Sequence, residues 1–290
     1  MSARLVHYKA DSGNVGDDFS AWMFSRLLSQ PLDDTSGTIL FGVGSILDQR
    51  FVPDVPDSAL KCCVFGSGAR GPNKVPDISR GDWHIYCVRG PLTARALGVS
   101  CDLAVCDPGI LAPVLYPAEK TSRGPIGIVP YFTASHALWS QVAEKAGWKI
   151  VSPHLGVEDF IHALLGCEKV FCESMHGAIF ADAYGIPWCP LSATGAAGEG
   201  RTHAYKWTDW TASVGLGFDS IKLPNMASGG RPGLQQSLRE KAKVTFVARR
   251  LKQAANADVF QVSDRALLAA HQSRLQTLAT QMQDDLARDP

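Results

Sequence analysis

Short apolar runs alternate with segments of helical period along most of the chain. "RLVHYK" (4–9) predicts a strand and "VGDDFSAWMFSRLLS" (15–29) a helix. "TILFGVG" (38–44), "LKCCVFGSG" (60–68) and "WHIYCVRG" (83–90) predict buried strands. "PLTARALG" (91–98) predicts a short helix, with proline at its first turn and glycine at its end. "LAVCDPGIL" (103–111) is expected to be a further strand and turn.

After "APVLYPAEKTSRGP" (112–125), a polar and proline-rich stretch expected to be a linker, the alternation restarts. "IGIVPY", "WKIVSP", "EKVFCES" and "IPWCPL" predict strands; "HALWSQVAEKAG", "GVEDFIHALLG" and "AIFADAYG" predict the helices among them. Continuous apolar strands separated by helices imply parallel sheets covered on both faces. The expected class is α/β, with two Rossmann-like domains, 1–117 and 122–222, facing a cleft. From 223 to 233 the chain turns polar and rich in Gly and Pro, and two helical stretches follow, at about 235–257 and 263–288. In the last, Leu268, His271, Leu275, Leu278, Met282 and Leu286 recur at three- and four-residue steps. That face is expected to dock on the N-terminal domain or on a sister subunit, which would make a homo-oligomer.

Composition narrows the function classes. The 290 residues are 46% hydrophobic, enough for two cores. Lys plus Arg and Asp plus Glu are both 28, so the basic excess of a nucleic-acid binder is missing. No apolar run is long enough to predict a transmembrane helix. The first residues, "MSARLVHYKADSGN", lack a signal-peptide pattern, so a cytoplasmic location is expected, with peripheral attachment at the inner face of the membrane left open. Eight cysteines occur with no CxxC pair, mostly inside apolar runs, and are read as reduced, buried thiols. No metal site is expected.

Three strands of the first half run into glycine-rich loops: "SGNVGDD", "FGVGS" and "FGSGARG". Ligands in open parallel sheets bind beyond the carboxyl ends of strands, and glycine lets backbone approach closely there. "GNVGDD" puts Asn14, Asp17 and Asp18 at a helix start. The two aspartates either complement the helix dipole or serve as a general base and sugar ligand. "GSGARG" brings Gly66, Ser67, Gly68 and Arg70. It fits GxGxxG, but "PNKVP" follows where a dinucleotide site needs a helix to open. Arg89, between a strand and Pro91, is placed either to grip a carboxylate or phosphate or to form an interdomain ion pair.

"ESMHGAIFADAYGIPW" (173–188) repeats the layout of strand, turn and helix, with Ser174, His176 and Gly177 at the helix start. Outward N–H groups and the dipole favour an anion there, and His176 adds a donor or a proton. "RTHAYKWTDW" (201–210) gathers Arg201, Lys206 and Trp207 in a polar and aromatic cluster. It suits a sugar-stacking rim, or else a helix entry with Asp209 near its start and the tryptophans in the core.

Together, "GNVGDD", "LFGVGSIL", "VFGSGARG", "VRGPLTARALG", "CDPGIL", "MHGAIFADAYGIPW" and "KWTDW" resemble, in order, the polysaccharide pyruvyl transferase family, and most of all its bacterial exopolysaccharide ketal-pyruvate branch. The resemblance covers about 5–215 and leaves out the tail. It implies two Rossmann-like domains arranged as in GT-B glycosyltransferases, phosphoenolpyruvate as co-substrate with no further cofactor, and no metal. It also implies a saccharide acceptor, free or lipid-linked, whose two hydroxyls receive a cyclic pyruvate ketal. Many members carry "SRLHG", where this chain has "ESMHG"; Ser174 stands at their arginine, leaving Lys206 or Arg201 to supply the cation. The donor's two anions are assigned to Arg89, Lys206, His176 and the helix start at Gly177. His176 is also a candidate acid, and Asp17 or Asp18 the group that orients or deprotonates a hydroxyl. Two other readings compete: a GT-B glycosyltransferase using a nucleotide sugar, and a non-catalytic saccharide-binding protein.

Overall fold

The computed structural model describes residues 3–288 apart from 9, 11, 30, 31, 34, 54, 120–123 and 228–232. The end of the first expected strand, the middle of the expected linker and part of the Gly/Pro-rich stretch therefore lie outside the described residues. Two compact units result: residues 1–117, 201–218 and 263–290, and residues 118–200 and 219–262. The sequence expectation places 201–222 in the second domain and 223–290 in a separate linker and tail. Both units are α/β with parallel sheets.

The first unit begins with β1 (Arg4–Val6), α1 (Val15–Leu27), β2 (Thr38–Phe41), β3 (Lys61–Phe65), β4 (Asp82–Cys87), α2 (Pro91–Leu97) and the single turn α3 (Ala112–Leu115). Its sheet runs β1-β2-β3-β4, all parallel. β2 is buried at every position, which is why "TILF" carries no polar alternation. α1 follows an extended Asn14, carries Asp17 and Asp18 in its first turn where the dipole favours carboxylates, and buries Val15, Phe19, Met23 and Phe24. α2 ends at Gly98, whose φ of 71° is the left-handed stop anticipated from "ALG". The strand expected within 103–111 is absent: two 3-10 turns, Cys101–Leu103 and Pro108–Leu111, take its place, with a lone bridge from Val88 to Ala104. Pro108, which has no N–H to give a ladder, opens the second turn.

In chain order the second unit adds β5 (Gly127–Val129), α4 (His136–Ala146), β6 (Lys149–Ile150), α5 (Val157–Leu165), β7 (Val170–Cys172), α6 (Met175–Ala183), β8 (Trp188–Ser192) and α7 (Thr194–Glu199). Then α8 (Arg201–Ser213) belongs to the first unit, β9 (Ile221–Lys222) and α9 (Leu234–Ala255) to the second, and α10 (Arg265–Arg288) to the first. The second sheet runs β6-β5-β7-β8-β9 and is parallel throughout. The chain leaves β5 toward β6 on one side and returns to β7 on the other, so a topological switch point lies at the β5/β7 pair. Ile128, Trp139, Phe171, Leu191, Val247 and Leu251 belong to the core that joins this sheet to α4 and α9.

α10 buries Leu268, Leu275, Ala279, Met282 and Leu286. Polar contacts pin it to the first unit along its length. Gln272 donates to Ile110 O at 2.8 Å, His271 meets Ser213 O at 3.0 Å, and Tyr86 OH donates to Asp285 at 3.0 Å. Of the two docking modes expected for this helix, the structure holds the intrachain one.

Candidate functional site

In the first unit the loops after β2, β3 and β4 meet at the carboxyl edge of the sheet. Gly68 N donates to Gly44 O at 2.9 Å, Leu47 N to Gly68 O at 3.2 Å, and Arg89 N to Ser67 O at 3.1 Å. The Ser67 hydroxyl donates to Gly42 O, and Ala69 N to the Thr93 hydroxyl at 2.9 Å. Gly66 N donates to Cys87 O at 2.9 Å, so Gly66, Ser67 and Gly68 all help to hold the loops together.

Asp17 stands at this edge, buried in the first turn of α1. Burial pushes its carboxyl from 3.8 up to about 7; the Asn14 amide and the charge of Lys206 pull it down, and Asp18 adds a smaller upward push. The Asn14 side chain donates to Asp17 Oδ2, while Asn14 N donates to Asp18 Oδ2 at 3.3 Å. Gly44, at φ 115°, lies beside it: a Cβ there would sit 3.7 Å from Asp17 Oδ1, an ordinary contact that leaves room. A carboxyl that changes charge near pH 7, with a donor and a cation at hand, has the equipment of a general acid or base.

Arg89 is placed differently from its sequence reading. It is fully buried; Nε donates to Asp209 Oδ2 at 3.1 Å, Nη1 to the Ser45 hydroxyl at 2.6 Å and Nη2 to Ala69 O at 3.2 Å. Its ion pair lies within one unit, and its fork grips a carboxylate of the protein itself. That carboxylate also accepts Leu92 N and Thr93 N, both at 2.9 Å, and the Thr93 hydroxyl at 2.6 Å. Asp209 therefore fills the anion position at the start of α2. It sits deep in α8, away from the helix entry that was the alternative reading of this cluster. Asp107, buried beside this pair, has its carboxyl pushed by burial to about 6; Arg89 and the Gly109 N–H oppose the rise and Asp209 adds to it.

The remaining candidates of the first unit divide. Trp207 is fully buried, stacked on Phe218 at 5.3 Å and edge-on to Trp210 at 6.0 Å, so it offers no open ring to a sugar. Its place follows from α8, whose His203, Trp207 and Trp210 share one inward face. Lys206 is half-buried and lies within the field of Asp17, Arg70 is half-buried and lowers the Asp48 carboxyl, and Arg201 is exposed at the first position of α8. Asn14, Asp17, Asp18 and Lys206 form one group; Gly66, Ser67, Gly68 and Arg89 form the framework behind it.

In the second unit, His176 occupies the first turn of α6, directly after β7 and at the switch point. Ser174 is the N-cap residue and makes no side-chain cap bond. The His176 ring is nearly buried and stacked, at an interplanar angle of 29°, on that of Phe180 at 6.3 Å. Gly177 was expected to admit a ligand, yet the space of its missing Cβ belongs to Val129, whose Cγ1 would be 2.6 Å away. That glycine lets α6 seat on β5. Sequence reasoning passed over Glu173, which is buried and accepts Tyr131 N at 3.2 Å and Gly195 N at 3.0 Å, tying the turn after β5 and the start of α7 to the end of β7. Its one visible signal is a charge directly after an apolar strand. Asp107 and Asp209 were likewise quoted in motifs without being singled out as site residues.

Among the described residues no cluster of His, Cys, Asp and Glu is arranged to hold a metal ion. Comparison with known proteins adds a family. The model of the polysaccharide pyruvyl transferase family matches residues 50–194. Over 223 residues the chain is 31% identical to the succinoglycan biosynthesis protein ExoV of Rhizobium meliloti (strain 1021), covering 75% of this chain and 67% of that one. Over 247 residues it is 22% identical to an uncharacterized protein of Acanthamoeba polyphaga mimivirus, covering 75% of this chain and 76% of the viral protein. No solved structure matches.

Proposed function

The chain belongs to the polysaccharide pyruvyl transferase family, and on that premise we propose that it moves the pyruvyl carbons of phosphoenolpyruvate onto two hydroxyls of one sugar, forming a cyclic ketal and releasing phosphate. The name of the Rhizobium relative, a succinoglycan biosynthesis protein, points to a bacterial exopolysaccharide or its precursor as acceptor, free or lipid-linked. In this reading the two units are Rossmann-like domains of GT-B type; each unit's own parallel sheet supports it.

The observation that carries the chemistry is Asp17, a buried carboxyl at about 7 with the Asn14 amide on it and Lys206 in its field. The reaction needs one proton delivered to the methylene carbon of the donor and two taken from the acceptor hydroxyls, one of which leaves with phosphate. Asp17 takes the proton of the attacking hydroxyl as the sugar oxygen bonds to the central carbon. Asp18 and Asn14 hold the sugar. Lys206 faces the negative charge of the donor, and His176, with the start of α6, is assigned to the phosphate and to the proton it needs. Arg89 serves as a positioning residue, fixing the loops that frame Asp17.

The test is incubation with phosphoenolpyruvate and a panel of hexosides, following phosphate release and a gain of pyruvate mass on the sugar, with nucleotide sugars as a parallel arm. Phosphate release without ketal, or transfer only from a nucleotide sugar, would overturn the assignment.

A further inference from the structure

The chain is neutral as a whole, but α9 is not. It carries Arg239, Lys241, Lys243, Arg249, Arg250 and Lys252 against Glu240 alone. One face of the helix is core: Val244, Val247, Leu251 and Ala255 are buried among the side chains of α4 and the second sheet. The outer side of its first half carries a second, narrower apolar stripe. Leu234, Leu238, Ala242 and Phe246 follow at four-residue steps along it, and the three large side chains are 78%, 58% and 54% exposed. A helix with two apolar faces has a core for only one of them. Arg239 flanks the second on one side and Lys241 on the other, and Arg249, Arg250 and Lys252 follow beyond its C-terminal end.

Beside this face, α9 and the end of α4 form a groove of about 480 Å³. Lys145, Arg249 and Lys252 line it together with Thr245, Gln253 and Asn256, and no carboxylate does. Three cations with amide and hydroxyl donors suit a phosphate group. An apolar stripe bordered by Lys and Arg is the pattern of a helix that lies in the plane of a bilayer, its apolar side among acyl chains and its charges among head groups. We propose that the outer face of α9 docks the protein on the surface of an anionic phospholipid membrane, with the Lys145/Arg249/Lys252 groove holding a lipid phosphate. No helix among the described residues is long and apolar enough to cross a membrane, so the contact proposed lies on the surface.

The experiment is co-sedimentation of the full chain with vesicles of phosphatidylcholine, with and without phosphatidylglycerol. The protein is expected to pellet with the anionic vesicles and to be released by high salt. Leu238→Ser with Phe246→Ser, and separately Arg249→Glu with Lys252→Glu, are each expected to weaken binding by at least about tenfold. Because these side chains are exposed, melting temperature and phosphate release with a soluble acceptor should stay at the unmodified level. Wild-type protein that stays in the supernatant, or variants that pellet as well as it does, would sink the proposal. So would a dimer in sedimentation velocity that Phe246→Ser dissolves, which would make the stripe a contact between copies. Binding to duplex DNA in preference to vesicles would assign the charges to nucleic acid instead.

Discussion

Asp17 owes its chemistry to three neighbours that act against its burial or with it. Burial dominates and lifts the carboxyl to about 7; the Asn14 amide and Lys206 favour the charged form, and Asp18 opposes it. The rate of pyruvyl transfer should therefore climb with pH through an apparent pKa near 7 as Asp17 becomes able to accept a proton. Asp17→Asn keeps the shape and the contact to Asn14 but cannot titrate, and should lower kcat by roughly 10²–10⁴ while removing that limb. Removing either helper has a defined sign. Asn14→Ala and Lys206→Ala each take away a group that stabilises the carboxylate, so the limb should move to higher pH, and further for Asn14. A pH–rate profile of the three variants checks this, and a limb that stays in place in Asp17→Asn would assign the base elsewhere.

At the scale of elements, the family motifs turn out to be partners of one another. "VRGPLTARALG" supplies Arg89, Thr93 and the start of α2, and "KWTDW" supplies the Asp209 that satisfies all three. Periodicity made the strands and α2 legible, because a fully buried parallel strand and a Pro-to-Gly helix each leave a local signature. It could not show which carboxylate Arg89 meets, since that pairing joins residues 120 positions apart. The same limit left Trp207 undecided between rim and core, and hid the packing use of Gly68, whose missing Cβ leaves room for the Arg89 guanidinium, and of Gly177. A glycine beside a ligand and a glycine beside a guanidinium or a valine read alike in sequence. The consequence is testable: Arg89→Ala strands a buried Asp209 and should cost about 3–5 kcal/mol, and Arg89→Lys should recover little because it lacks the fork. Gly177→Ala should cost about 1–3 kcal/mol through its clash with Val129. Urea unfolding measures both; an Arg89→Ala protein of native stability would return Arg89 to the substrate.

For the molecule as a whole, three shifted carboxyls each carry part of the variation of stability with pH. Asp17 and Asp107 have folded values of about 7 and about 6, both lifted mainly by burial, above the usual 3.8. The folded state therefore keeps protons that the unfolded chain gives up. Stability falls as pH rises wherever the native state binds more protons, so their contribution is fully present below about 4 and is lost as pH climbs through about 6 and then about 7. Asp48 works the other way: burial raises it, but hydrogen bonds from Arg50 more than offset the rise and hold it below 3.8, so its contribution is lost on acidification. Comparing variants separates the two. Asp17→Asn and Asp107→Asn each shift stability by an offset that does not depend on pH, and each removes one proton from the balance. Against the wild type, the decline in unfolding free energy from pH 4 to 7 should shrink in both, by a few kcal/mol at roughly 1.4 kcal/mol per pKa unit. It should shrink more for Asp17→Asn, and the difference should open above pH 6, where Asp107 has already lost its proton and Asp17 has not. Parallel pH curves for wild type and Asp17→Asn would mean that this carboxyl is ionised throughout, and would remove it as a base poised at neutral pH.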